Sequence, residues 1–326
     1  MWFKNLRLYC LAQPFELTVE DFEAALAENG FVPCSSYEKE RIGWTAPLGD
    51  TAPEGDEAQA GAAAPMLTHV VGDYIMICAQ RQDRLLPATV VREATAEKVA
   101  EIEERQARKV YRKEKREIQD DVYAALLPRA FTRSSRIHAY ISRRDNLLVV
   151  DSASAPKAEE FLNLLRDTLG SFPVSLPDSK VAPSAVMTRW LNNGKATDGF
   201  VINDDCELVS PKDASNVVRL KGQDLDGEEV KVHLEAGKQA RHLGVVWNSQ
   251  VGCNIMEDLS IKRLRFENIR EESEGYENET PAEKFDQEFA LMTLQLSDFL
   301  KSLFTAFGGL EDPGKKLLPD NRKKED

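Results

Sequence analysis

No stretch of this 326-residue chain approaches the roughly 18 consecutive apolar residues of a membrane-spanning helix, and the opening MWFKNLRLYC lacks the charged-then-apolar order of a secretory leader. A membrane or secretory role is therefore not expected. Cysteine is sparse: Cys10, Cys34, Cys78, Cys206 and Cys253 are odd in number, widely spaced and free of any CxxC pair. That pattern fits a reducing cytoplasm better than a disulfide framework, and the five read as small buried hydrophobes. The four histidines, His69, His138, His233 and His242, lie far apart with no ligand at metal spacing, so neither zinc nor another metal is expected. No GxSxG elbow or other nucleophile signature occurs. GLEDPGKK, from Gly309 to Lys316, has the glycines and lysine of a P-loop. It carries Lys316 where a magnesium-binding hydroxyl belongs, and acids where backbone amides should cradle phosphate. GEEVK, Gly227 to Lys231, offers a carboxylate and a lysine such as a metal-dependent nuclease uses, a pattern common by chance. The expected catalytic residues, metals and cofactors are none.

What is present is enough apolar content, 42%, to bury a sizeable core in two or three domains or lobes. The net charge of −13 argues against a nucleic-acid partner until its distribution is read. RQARKVYRKEKR, residues 105–116, has seven basic residues and one acid, +6 locally, which leaves −19 elsewhere. Acid gathers in residues 271–288 and around residues 50–57. Screening over about 8 Å makes local charge matter more than the total.

Along the chain, residues 2–9 read as a strand, followed by a helix opening near Thr18 and closing at Gly30. The Ala-, Gly-, Pro- and acid-rich residues 51–65 read as a flexible insertion. LTHVV and YIMICAQ flank Gly72 and Asp73 as a tight hairpin. From Ala94 to about Leu127 there is no Gly or Pro and an abundance of helix formers, which predicts one continuous helix closed by Pro128. Its apolar residues sit at the ends, so the middle should be solvated and project. On such a helix Arg105, Arg108 or Lys109, Arg112 and Arg116 stack in a stripe spanning roughly 16 Å, with Lys113 alongside and Glu114 the one acid available to relieve it. An acidic protein partner or plain solvation are the other fates of such a stripe.

Two later stretches echo each other: a hairpin turning at Arg144 to Asn146 runs into a helix stopped by Gly170, and a strand pair runs into a long helix ended by Gly308 and Gly309. Strands paired beside helices without βαβ alternation indicate an α+β fold. Alternation along IKRLRF sends Lys262 to one face, with Arg263 and Arg265 off it. Lys238 and Arg241 are further candidate phosphate contacts.

MWFKNL at the start, Gly43-Trp44, LTHV from Leu67, LLPRAF from Leu126, VDSASA from Val150, KGQDL from Lys221, HLEAGKQ from His233, IKRLRF from Ile261 and FDQEFALMT from Phe285 stand in one order. In this order they resemble the RdgC family from end to end. The insertion after Gly49 is longer than the family pattern, and KGQDL has Gly222 where a second basic residue can stand. The resemblance implies a crescent-shaped α+β protomer that pairs at both ends into a ring-shaped homodimer with a basic inner surface. It implies binding of double- and single-stranded DNA without sequence preference, restraint of RecA-driven recombination with a possible role in replication, and a cytoplasmic, nucleoid-associated location. Phe131 resembles the aromatic of a dimer contact, with Lys221 and Gln223 polar residues near it. The expected organisation is an N-terminal α+β region (1–92), a projecting helical region (93–128), a hairpin–helix lobe (129–185), a connecting lobe with a dimer contact (186–240), a C-terminal hairpin–helix lobe (241–310) and a disordered tail (311–326). A metal-dependent nuclease and an adaptor using the acidic 271–288 surface are the competing classes.

Overall fold

A computed structural model describes residues 2–49, 66–267 and 280–311. The expected insertion at 51–65, the acidic residues 271–279, the end of the P-loop-like stretch and the tail beyond 311 lie outside the described residues. Twelve strands form one sheet in the order β2 (Glu40–Thr45), β4 (Tyr74–Leu85), β5 (Phe131–Ser142), β6 (Leu147–Asp151), β1 (Leu6–Leu11), β12 (Ile261–Phe266), β11 (Val251–Met256), β10 (Gln239–Trp247), β8 (Phe200–Ser210), β9 (Asp213–Lys221). β3 (Thr68–Val71) adds to β4 and β7 (Val174–Ser175) to β1. All these pairings are antiparallel, and with seven α-helices among the described residues the fold is α+β.

Period-two alternation splits the central strands between two cores. Leu6, Leu8, Tyr74, Met76, Tyr140 and Val149 face one core, which extends over β8 to β12. Tyr9, Leu11, Ile75, Ile77, Ala139 and Leu148 face the other. α5 (Pro183–Asn193), α6 (Glu228–Glu235) and α7 (Pro281–Ala306) cover the first core, and α1 (Val19–Glu28) and α4 (Ala155–Leu169) cover the second. The two echoing hairpin–helix stretches thus send their helices to opposite faces. The second of them is built on three strands, β10 to β12, rather than a pair. The second core contains no residue of β8 to β12, so that part of the sheet has one apolar face and one polar face.

Local chemistry accounts for most boundaries. Thr18 accepts a hydrogen bond from the Asp21 amide and opens α1, which closes at Asn29, one residue ahead of Gly30. Gly72 turns the β3–β4 hairpin at φ +56° and Gly170 caps α4 at φ +70°, conformations that side chains resist. All five cysteines are buried and free.

The long helix is the main departure. α2 spans Ala88–Gln106, Ala107 turns left-handed at φ 50°, and α3 spans Arg112–Leu126. The chain folds into a helical hairpin between the far ends of β4 and β5, and α2 and α3 pack on each other. Glu103 accepts the Val110 amide at 2.8 Å and Glu114 takes the Arg108 guanidinium at 2.6 and 2.8 Å, clipping the turn from both sides. A straight solvated helix would bury almost nothing, whereas the fold-back buries Ile118. Of the 19 and 15 residues in the two helices only Val91, Thr95 and Ile118 are buried, so the hairpin is solvated along most of its surface.

Candidate nucleic-acid interface

The polar face of β8 to β12 is built by three irregularities in strand pairing. On β10, Ala240 pairs with Leu208 and His242 with Glu207, so Arg241 is an extra residue and both Arg241 and His242 turn outward. On β8, the shift between the Leu243 and Val245 pairings brings Asp205 out beside them. On β12, Lys262 pairs with Asn254 and Arg265 with Gly252, leaving Arg263 and Leu264 opposite the single residue Cys253. Arg263 sits at φ 53°. Because Asn254 and Gly252 lie two residues apart on one strand, Lys262 and Arg265 share a face. Arg263 reaches the same side to pair with Asp205. The expectation that Lys262 points away from Arg263 and Arg265 is therefore corrected: the bulge breaks the alternation and brings all three together.

Seven permanent cations, Arg7, Arg219, Lys221, Arg241, Lys262, Arg263 and Arg265, stand on this face with five carboxylates, Asp205, Glu207, Glu257, Asp258 and Glu267. Glu207 takes Arg219 Nε at 2.7 Å and Arg241 Nη1 at 3.0 Å, Asp205 takes His242 Nε2 at 2.9 Å as well as Arg263, and Asp258 takes Arg7 at 2.6 Å. Lys221, Lys262 and Arg265 have no ion pair among the described residues. Burial pushes the Asp205 carboxyl up, but hydrogen bonds from His242 and Asn254 and the Arg263 charge outweigh it and hold it below its ordinary value. Glu207 follows the same balance, with Arg219 and Arg241 overcoming burial. Arginines held this way present ordered N–H groups at the surface of a sheet, the arrangement that grips phosphate oxygens.

The pairing has a pH consequence. Glu207 is depressed from its usual 4.5, so its stabilisation is complete above that value and is lost as pH falls through the lower folded value. Glu207→Gln should remove this acid-range dependence from thermal unfolding. At neutral pH it should also strengthen duplex binding several-fold by releasing Arg219, while Arg241 keeps Glu257 at 3.6 Å, read as a salt slope steeper by about 1 per protomer if one contact is gained. Weaker binding would show that Glu207 orders the arginines rather than competing for them.

The other candidate residues fall in separate places. Arg105, Arg108, Lys109, Arg112, Lys113 and Arg116 are all exposed but surround the hairpin tip instead of forming one stripe, because the break at Ala107 parts Arg105 and Arg108 from Arg112 and Arg116. Lys238 is buried and its ammonium donates to Asn216, so it is committed within the fold rather than presented to a phosphate. Phe131 is 85% exposed at the end of β5, paired across the ribbon with Leu85. Lys221 ends β9, seven places along the sheet from β5, with Gln223 just beyond it bonded to Glu229. One protomer therefore does not bring Phe131 to Lys221 and Gln223. Arg7, Arg219 and His242 were not singled out from sequence as phosphate contacts, and only pairing across strands reveals them.

Among the described residues no group of three or more His, Cys, Asp or Glu is placed to hold a metal ion, and no helix is long and apolar enough to cross a membrane. Residues 1–310 match the family described as "Putative exonuclease, RdgC". The chain is 42% identical to the recombination-associated protein RdgC of Aeromonas hydrophila over 312 residues, 95% of this chain and 99% of that one. It is equally identical to those of Pseudomonas putida and Pseudomonas aeruginosa over 314 residues, 96% of this chain and 99% of theirs. The chain belongs to the RdgC family of recombination-associated proteins.

Proposed function

We propose that this protein is a non-enzymatic, sequence-nonspecific DNA-binding protein. In this reading two crescent-shaped copies pair at both ends and close a ring around duplex DNA, restraining RecA-driven strand exchange in the nucleoid by occupying the DNA. The observation that carries the reading is the cationic sheet face, where bulges on β10 and β12, the two strands flanking β11, gather Lys262, Arg263, Arg265, Arg241 and His242. Such a face offers side chains for phosphates, so affinity should come from counterion release and be indifferent to sequence. Two-fold pairing doubles each patch, which makes a small cation excess per protomer sufficient.

The test is duplex binding titrated against salt together with a solution mass. A dimer whose log affinity falls linearly with log salt, equally for unrelated sequences, supports the reading. A monomer, or a protein that binds no DNA at low salt, overturns it, and capture of a protein partner by the latter would favour an adaptor. Circular duplex incubated with the protein and magnesium should remain uncut; nicking or resection would assign a nuclease. The Arg112→Glu, Lys113→Glu, Arg116→Glu triple variant, which spares the Arg108–Glu114 clip, should weaken duplex binding at moderate salt with the fold intact, and unchanged affinity would confine duplex contact to the sheet.

A further inference from the structure

The tip of the α2–α3 hairpin differs in kind from the sheet face. Tyr111 stands there 77% exposed, although a tyrosine ring normally covers apolar surface. Around it Lys109, Arg112, Lys113, Lys115 and Arg116 are exposed and without an ion pair among the described residues, Glu114 being taken by Arg108. Arg112 and Lys113 occupy the first turn of α3, where the helix dipole favours acids, and Tyr111 at its N-cap gives no side-chain cap. The arrangement is unfavourable for the hairpin alone and is relieved by an anion. An exposed ring among free cations matches the physics of unpaired nucleotides: phosphates meet the cations and a base lies on the ring. A duplex keeps its base faces covered by stacking and an acidic peptide needs no aromatic platform, so neither accounts for Tyr111.

We propose that this tip binds unpaired nucleotides, with Tyr111 as the stacking platform and Lys109, Arg112 and Lys113 as phosphate contacts. The site rests on the DNA-binding reading but is distinct from the sheet face. It would let one molecule hold duplex on the sheet while engaging single strand beyond it.

The test compares the full-length protein with Tyr111→Ala and Tyr111→Phe on two probes, a single-stranded oligonucleotide carrying 2-aminopurine and a blunt duplex of the same sequence. Because Tyr111 is exposed, neither substitution threatens folding. Stacking of about 1–3 kcal/mol per base sets the expected loss for Tyr111→Ala at roughly 5- to 150-fold on the single strand, with loss of 2-aminopurine quenching and duplex affinity within about twofold. Tyr111→Phe should retain both. If Tyr111→Ala leaves single-strand affinity unchanged, or weakens both probes alike, the tip inference fails while duplex binding by the sheet face stands. If wild type binds neither probe, both readings fail. Tyr111-dependent capture of polyglutamate in preference to the oligonucleotide would assign the tip to acidic peptides and overturn the proposal.

Discussion

Replacing Lys262 and Arg265 together with glutamate is expected to lower duplex affinity at about 0.1 M salt by roughly a hundredfold or more and to flatten the salt dependence. The two side chains share a face through the bulge on β12 and have no carboxylate partner among the described residues. Each phosphate contact contributes about 0.9 to the slope of log affinity against log salt, so four contacts in a dimer account for a slope of about 3.6. At about 0.1 M that corresponds to more than three decades if all four side chains reach phosphates, and to about two if half of them do. The fold should tolerate the change, because both positions are outside the apolar cores. Circular dichroism and an unfolding midpoint check that point. A variant that binds as wild type at every salt concentration would remove the sheet face from the interface and leave the hairpin as the remaining cationic surface.

The same residues show how far a sequence can be read. IKRLRF is visibly a strand with three cations, but its alternation predicts two faces and the protein uses one. A β-bulge has no reliable local signature when its extra residue is an arginine at positive φ rather than a glycine. It is fixed by the partner strand, here by Cys253 taking its place in the core while Arg263 and Leu264 share the opposite position. The broken helix is the same lesson in another form. Residues 94–127 are all acceptable helix formers and include neither glycine nor proline, so propensity sees no reason to stop. The stop comes from tertiary gain: folding back buries Ile118 and lets Glu103 and Glu114 clip the turn. Features set by local chemistry, such as the Thr18 cap, the Gly72 hairpin and the Gly170 stop, were legible and stand where expected. The central position of β1 between β6 and β12 was not legible, since it depends on pairing Leu6 with Ile261, 255 residues away in sequence.

Phe131→Ala is expected to raise the dimer dissociation constant at least about 30-fold and to abolish retention on closed circular DNA under a high-salt wash. A large apolar ring left 85% exposed, with the half-exposed Leu85 beside it, costs a free protomer solubility and gives a partner a hydrophobic anchor. Truncating an anchor of that kind typically costs 2 kcal/mol or more, about 30-fold in an equilibrium constant. The sheet order adds a constraint: Phe131 and Lys221 lie on strands seven places apart, so any contact uniting them, as the family resemblance suggests, joins two protomers. If each contact of a ring joined Phe131 of one copy to the Lys221 end of the other, a single substitution would damage both contacts and yield monomers. If the Phe131 ends met each other and the Lys221 ends met separately, Phe131→Ala would leave an open dimer with its mass intact and its grip on circles gone. Sedimentation across concentration distinguishes these closures, and Lys221→Glu should reproduce the monomer only in the first. A variant matching wild type in both mass and retention would mean that this exposed ring closes nothing.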